Sequence, residues 1–119
     1  DDAAHYEKLL RRQGRVEVVE VREDEALERR IPERAVVVLL DERGKQLSSQ
    51  AFAAFLEERR QGGRDVVFVI GGPFGTALDR ADHRLSLGPM TLPHLLARVV
   101  LLEQLFRAHK ILAGEPYHH

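Results

Sequence analysis

Val66-Val67-Phe68-Val69-Ile70-Gly71-Gly72-Pro73-Phe74-Gly75 decides the fold class of this chain. Four β-branched residues and one aromatic, with no polar interruption, describe a strand buried on both faces. The glycine turn that follows would stand at the strand's carboxyl end, where open α/β sheets bind ligands and bare backbone can approach one. The turn lacks the Gly-Lys-Ser/Thr of a phosphate loop and the glycine spacing of a dinucleotide fold. A tight strand-to-helix connection without a ligand explains it almost as well.

The pattern extends outward from there. Ala35 to Leu40 is a second continuous apolar strand, and Arg15 to Val21 alternates valine with charge as a third. Asp41 to Lys45 reads as a turn. Ser48 is a good N-cap for a helix carrying Phe52, Phe55 and Leu56 on one face and stopping at Gly62-Gly63. Ala3, Tyr6, Leu9 and Leu10 fall at helical spacing before Gly14, and Glu23 to Arg30 suits a short charged helix. Strands alternating with helices predict one α/β domain over residues 1–119, with a parallel sheet covered by helices.

His94 to Leu112 is expected to be a long helix. Leu95, Val99, Leu102 and Phe106 share one stripe, and Leu96, Val100, Leu101 and Leu105 occupy other faces. A helix apolar around so much of its circumference is normally covered on more than one side, and a second subunit is the expected cover. Before it, Gly88-Pro89-Met90-Thr91-Leu92-Pro93 offers main-chain amides and carbonyls flanked by aliphatic side chains, which suits a flat heteroaromatic ring. A buried connecting loop is the plainer alternative.

Composition narrows the function classes. The 119 residues are 44% hydrophobic and 31% charged, enough for a modest core. Aromatic residues are only 6% and Trp is absent, so stacking platforms for single-stranded nucleic acid are scarce. A formal charge of −1 gives no global pull on a polyanion, so any nucleic-acid footprint must be local or assembled between subunits. With no Cys, disulfides, thiolate metal sites and cysteine nucleophiles are excluded together. Six histidines show no ligand spacing such as His-Glu-x-x-His, so no metal is expected. No apolar run approaches the roughly 20 residues that span a bilayer, and no signal peptide is visible, so no membrane partner and a cytoplasmic location are expected. Arg107 lies four residues after Glu103, the favourable spacing for a pair within one helix.

Four segments in order resemble the ribosomal RNA large subunit methyltransferase H family, of the SPOUT class. They are Ile70 to Gly75; Leu85-Ser86-Leu87 with Met90-Thr91-Leu92-Pro93-His94; Arg98-Val99 with Glu103 to Ala108; and Pro116-Tyr117-His118. The resemblance implies a parallel-sheet SPOUT fold with a C-terminal trefoil knot, working as a homodimer, although general rules of chain topology argue against knots. It implies S-adenosyl-L-methionine as cofactor, held by Leu40, Gly72 and the run Gly88, Pro89, Met90, Thr91, Leu92 and Pro93. It implies methylation of N3 of a pseudouridine in 23S large-subunit ribosomal RNA, on the assembled ribosome. His94 and His118 would be candidates to take the N3 proton, with His119 beside them, while Arg107 and Tyr117 would hold a phosphate or the flipped base. The family has a strand before the first helix that is missing here, and a longer stretch between Arg22 and Arg34. It commonly carries Arg where this chain has His119. A non-catalytic α/β module that binds a nucleotide or a protein partner through the same turns is the competing expectation.

Overall fold

The computed structural model describes residues 3, 15–20, 31–71 and 80–115. It contains four strands, β1 (Val16–Glu20), β2 (Val36–Gln46), β3 (Val66–Ile70) and β4 (His83–Ser86), and two helices, α1 (Ser49–Gln61) and α2 (His94–Leu112). The sheet order is β1-β3-β2-β4, and every pairing is parallel. Val66 of β3 stands between Val16 and Val36, and Ile70 between Glu20 and Leu40. The apolar runs expected to be strands thus occupy the two inner positions, where neither face meets water.

Successive strand residues point to opposite faces. Val36, Val38, Val66 and Phe68 pack against Phe52, Ala53 and Leu56 of α1 and against Leu101, Leu102, Leu105 and Ala108 of α2. Val37, Leu39, Val67 and Val69 form a separate cluster on the other face, with Val19, Ile31 and Ala35. Each large side chain fully removed from water contributes about 1.5–3 kcal/mol.

Helix α1 begins as the sequence predicts, with the Ser48 hydroxyl accepting the Ala51 N–H at 3.0 Å. It ends at Gly62, whose N–H reaches Arg59 O, and Arg59 and Arg60 place positive charge on its last turn. Helix α2 has the expected extent, but its buried face is Ala97, Leu101, Leu105 and Ala108 with Leu102 and His109. Of the expected stripe only Leu102 is buried. Leu95 and Leu96 are 68% and 47% exposed in the single chain.

Two features depart from expectation. Residues 41–45 are a bulge inside β2 rather than a turn that ends it: Leu85 of β4 is in register with both Leu40 and Lys45. Strand β4 is not anticipated, because it has four residues and begins with the polar pair His83-Arg84. The expected helix before Gly14, the helix Glu23–Arg30, most of the Gly71–Gly75 turn and the tail from Pro116 lie outside the described residues; Ala3 is helical and buried.

Gly44 makes the bulge possible. A Cβ there would lie 2.7 Å from the Arg84 carbonyl carbon and 2.8 Å from Leu85 N, both backbone atoms that cannot step aside. Gly44→Ala is therefore expected to cost about 1–3 kcal/mol through overpacking, read as a lower denaturation midpoint at unchanged m-value.

His109 is the second test. It is 4% exposed, and Arg60 Nη1 lies 3.3 Å from its Nδ1. A guanidinium only donates, so Nδ1 accepts and Nε2 carries the proton. That Nε2 is buried without a partner. Burial, reinforced by the Arg60 charge, lowers its pKa from an ordinary 6.5 to about 4. The unfolded chain therefore binds this proton at higher pH than the folded one. The contribution of the neutral ring is complete above pH 6.5 and is lost as pH falls towards 4, at about 1.4 kcal/mol per unit. Denaturation between pH 7.5 and 4.5 should show this slope in the parent and a flatter one in His109→Gln.

Candidate functional site

The carboxyl ends of β2, β3 and β4 meet at Leu40, Ile70 and Leu85, which stand side by side through their register. A cavity of about 350 Å³ opens beside them. Leu40 and the segment Leu85 to Gly88 form one wall. Lys45, Gln46, Leu47 and the first residues of α1 form the second, and Val100, Leu101 and Gln104 of α2 form the third. Such a volume accommodates a small molecule, and the position is the one at which α/β sheets bind ligands.

The loop after β4 is held in a specific shape. Ser86 Oγ donates to Gly88 O at 2.8 Å and accepts from Gly88 N at 3.0 Å, closing a tight turn. Gly88 has φ +133°, a conformation that L side chains rarely adopt, so glycine is required there. Three residues on, the Thr91 hydroxyl donates to Glu42 at 2.7 Å and ties the loop to the β2 bulge. Leu92 packs onto the core, Met90 is 79% exposed, and Pro93 O accepts the Ala97 N–H to start α2.

The bulge is itself charged and ordered. The Asp41 carboxylate accepts the Arg43 N–H at 3.0 Å and faces the guanidiniums of Arg43 at 3.4 Å and Arg84 at 3.7 Å. That backbone hydrogen bond, opposed by partial burial and aided by the two arginines, holds its pKa below the ordinary carboxylate value. Asp41 is a structural anion, not a proton donor.

The expected site residues are brought together only in part. Leu40 and Gly88 line the cavity; Pro89, Met90, Thr91, Leu92 and Pro93 continue from it as the ordered loop. His94 is the first residue of α2, and its Nε2 is buried without a partner. Arg107 stands three turns further on, with its Nε 3.2 Å from Glu103, in the pair the spacing predicts. His94 and Arg107 are thirteen positions apart, about 20 Å of helix, so the two cannot act on one atom within a single chain. Gly72, Tyr117 and His118 lie outside the described residues. Lys45, Ser49 and Gln104 are lining residues that the sequence reading missed. The signal was present: Lys45 follows a buried apolar run and Ser49 directly follows a helix N-cap, at the sheet end where Gly71 leaves β3.

Among the described residues, no helix is long and apolar enough to cross a membrane, and no group of three or more His, Cys, Asp or Glu could hold a metal ion.

Residues 2–118 match the family described as "Predicted SPOUT methyltransferase". A ribosomal RNA large subunit methyltransferase H from Nitratidesulfovibrio vulgaris is 56% identical over 88 residues, covering 71% of this chain and 56% of that protein. One from Pelobacter propionicus is 44% identical over 132 aligned positions, covering 98% of this chain and 87% of the relative. One from Thermotoga neapolitana is 40% identical, covering 97% and 87%. The chain thus spans little more than half of the first of these relatives and most of the other two. The 132 aligned positions exceed the 119 residues of the chain, so the Pelobacter protein carries internal positions that this one lacks. The chain belongs to the SPOUT methyltransferase family.

Proposed function

We propose that the protein is an S-adenosyl-L-methionine-dependent methyltransferase acting on N3 of a pseudouridine in 23S large-subunit ribosomal RNA. It would work in the cytoplasm as a homodimer, on the assembled ribosome, with its C-terminal segment threaded into a trefoil knot. The observation that carries this reading is the cavity at the carboxyl ends of β2 and β4, which joins Leu40 to the Ser86–Gly88 turn. Knot and target nucleotide are part of the proposal, supported by the resemblance of the four sequence segments to the ribosomal RNA large subunit methyltransferase H family.

The residues present fit the cofactor. Half of the lining residues are apolar, and among the described residues the only charged one is Lys45, which suits a ligand with an apolar ring and a polar end. Gly88 to Pro93 would hold the ring by main-chain hydrogen bonds, with Leu40 beside it, and Gly72 would keep the neighbouring turn free of a side chain. When bound, S-adenosyl-L-methionine supplies a sulfonium methyl group, already a strong electrophile, so the protein contributes chiefly orientation and closeness. His94 offers a ring nitrogen with no other partner to hold the N3 proton. Arg107, fixed by Glu103, would hold a phosphate or the flipped base together with Tyr117, and His118 would be a second candidate to take the proton.

Chain length supports the dimer. From His94 to Leu112 the helix axis runs about 27 Å, while the five residues from Leu112 to Tyr117 reach about 18 Å at full extension. On that reach, a tail that acted beside the Gly88–Pro93 loop would come from a second copy, which supports the homodimer reading. The exposed Leu95 and Leu96, with Met90 just before them, give that copy an apolar surface to cover.

Calorimetric titration with S-adenosylhomocysteine, beside an adenosine control, tests the reading. Saturable binding that adenosine cannot match, together with methyl transfer to ribosomes lacking the modification, is the expected result. A folded dimer that binds neither would leave a non-catalytic binding module. Gly88→Val, forced into a strained conformation costing about 1–3 kcal/mol, should weaken S-adenosylhomocysteine at least about tenfold while the protein stays folded.

A further inference from the structure

The polar lining of the cavity is one-sided. Among the described residues, Lys45 is the only charged one that lines it, and no carboxylate does. Lys45 makes no ion pair among the described residues. Also in the lining, the Ser49 hydroxyl donates to Gln104 Oε1 at 2.7 Å, and Gln104 Nε2 donates to Glu103 at 3.0 Å. These bonds leave one Gln104 N–H and the Ser49 oxygen lone pairs uncommitted. Glu103, the nearest acid to this pair in sequence, is already matched by Arg107. The cavity is therefore lined by an exposed lysine at its edge and by an amide donor, beside walls that are half apolar.

We propose that this cavity receives an anionic group, the carboxylate at the amino-acid end of the methyl donor, with Lys45 as its counter-charge and Gln104 as a second donor. The inference rests on the cofactor reading above and extends it by assigning the ligand's direction. The charged end lies towards Lys45 and α1, and the ring towards Gly88. A phosphate of the RNA offers the same chemistry, so the experiment must separate the two sources.

The parent, Lys45→Met and Gln104→Leu are each titrated with S-adenosylhomocysteine and with 5′-deoxy-5′-methylthioadenosine, which lacks the amino-acid end. Lys45→Met is expected to weaken S-adenosylhomocysteine about tenfold and methylthioadenosine by less than about twofold, with an unchanged melting temperature. Gln104→Leu should show the same selectivity with a smaller loss, and it carries the test alone if Lys45→Met fails to fold. Equal losses for both ligands, or none for S-adenosylhomocysteine, would overturn the assignment. Unchanged cofactor affinity with a salt-dependent loss of ribosome methylation would transfer Lys45 to an RNA phosphate and also overturn it. A parent protein that binds neither ligand would instead remove the cofactor reading itself.

Discussion

Leu85 pairs with β2 twice, once through Leu40 and again through Lys45, and the arrangement of the candidate site follows from that double register. The chain leaves the ladder at Asp41 and rejoins it at Lys45, with the Gly44 Cα against the Arg84–Leu85 backbone. That detour sets Leu40 on one side of the cavity and Lys45 on another, and it positions Glu42 to receive Thr91. The loop after β4 is in turn fixed to the bulge. Sheet edge, bulge and loop are one mechanical unit, so a disturbance at Gly44 is transmitted to a wall of the cavity without touching any ligand.

Charge is distributed so that this unit survives next to water. Asp41 holds two arginines outside the cavity, and Glu103 holds Arg107 on α2. Exposed pairs of this kind contribute at most about 1 kcal/mol each. Their larger effect is on the local field: Asp41 and Glu103 are each matched by arginine, which leaves less negative charge facing the lysine in the lining. A chain with net charge −1 can in this way keep a positive side chain at the edge of a ligand cavity.

Much of the architecture was legible where burial dictates composition. The runs Ala35–Leu40 and Val66–Ile70 could satisfy neither a half-exposed strand nor an amphipathic helix, and both are inner strands of a parallel sheet. Ser48 and Gly62 bounded α1 because caps are local chemistry. Legibility failed where long-range pairing decides. Asp41-Glu42-Arg43-Gly44 looks like a turn by every local measure, and it remains in a strand only because β4 pairs on both sides of it. Strand β4 itself carries too few apolar residues to announce an edge strand. Likewise Leu40 and Gly88 of the site were readable from a motif, whereas Gln104 becomes a lining residue only through the packing of α2 against α1.

The sheet order has a kinetic meaning. Val36 pairs with Val66, thirty residues later, and Val16 pairs with the same residue across fifty. No pairing in the sheet can close as a hairpin, so each strand contact must await the closure of a long loop before any ladder bond compensates for it. High contact order of this kind slows folding and leaves strand edges unpaired while the search proceeds. β1 belongs in a register defined by β3, so it can dock only after much of the chain has been synthesised. Until then the edge of β3 that β1 will occupy is a sticky one. The newly made chain therefore has a window for aggregation that its native surface gives no hint of.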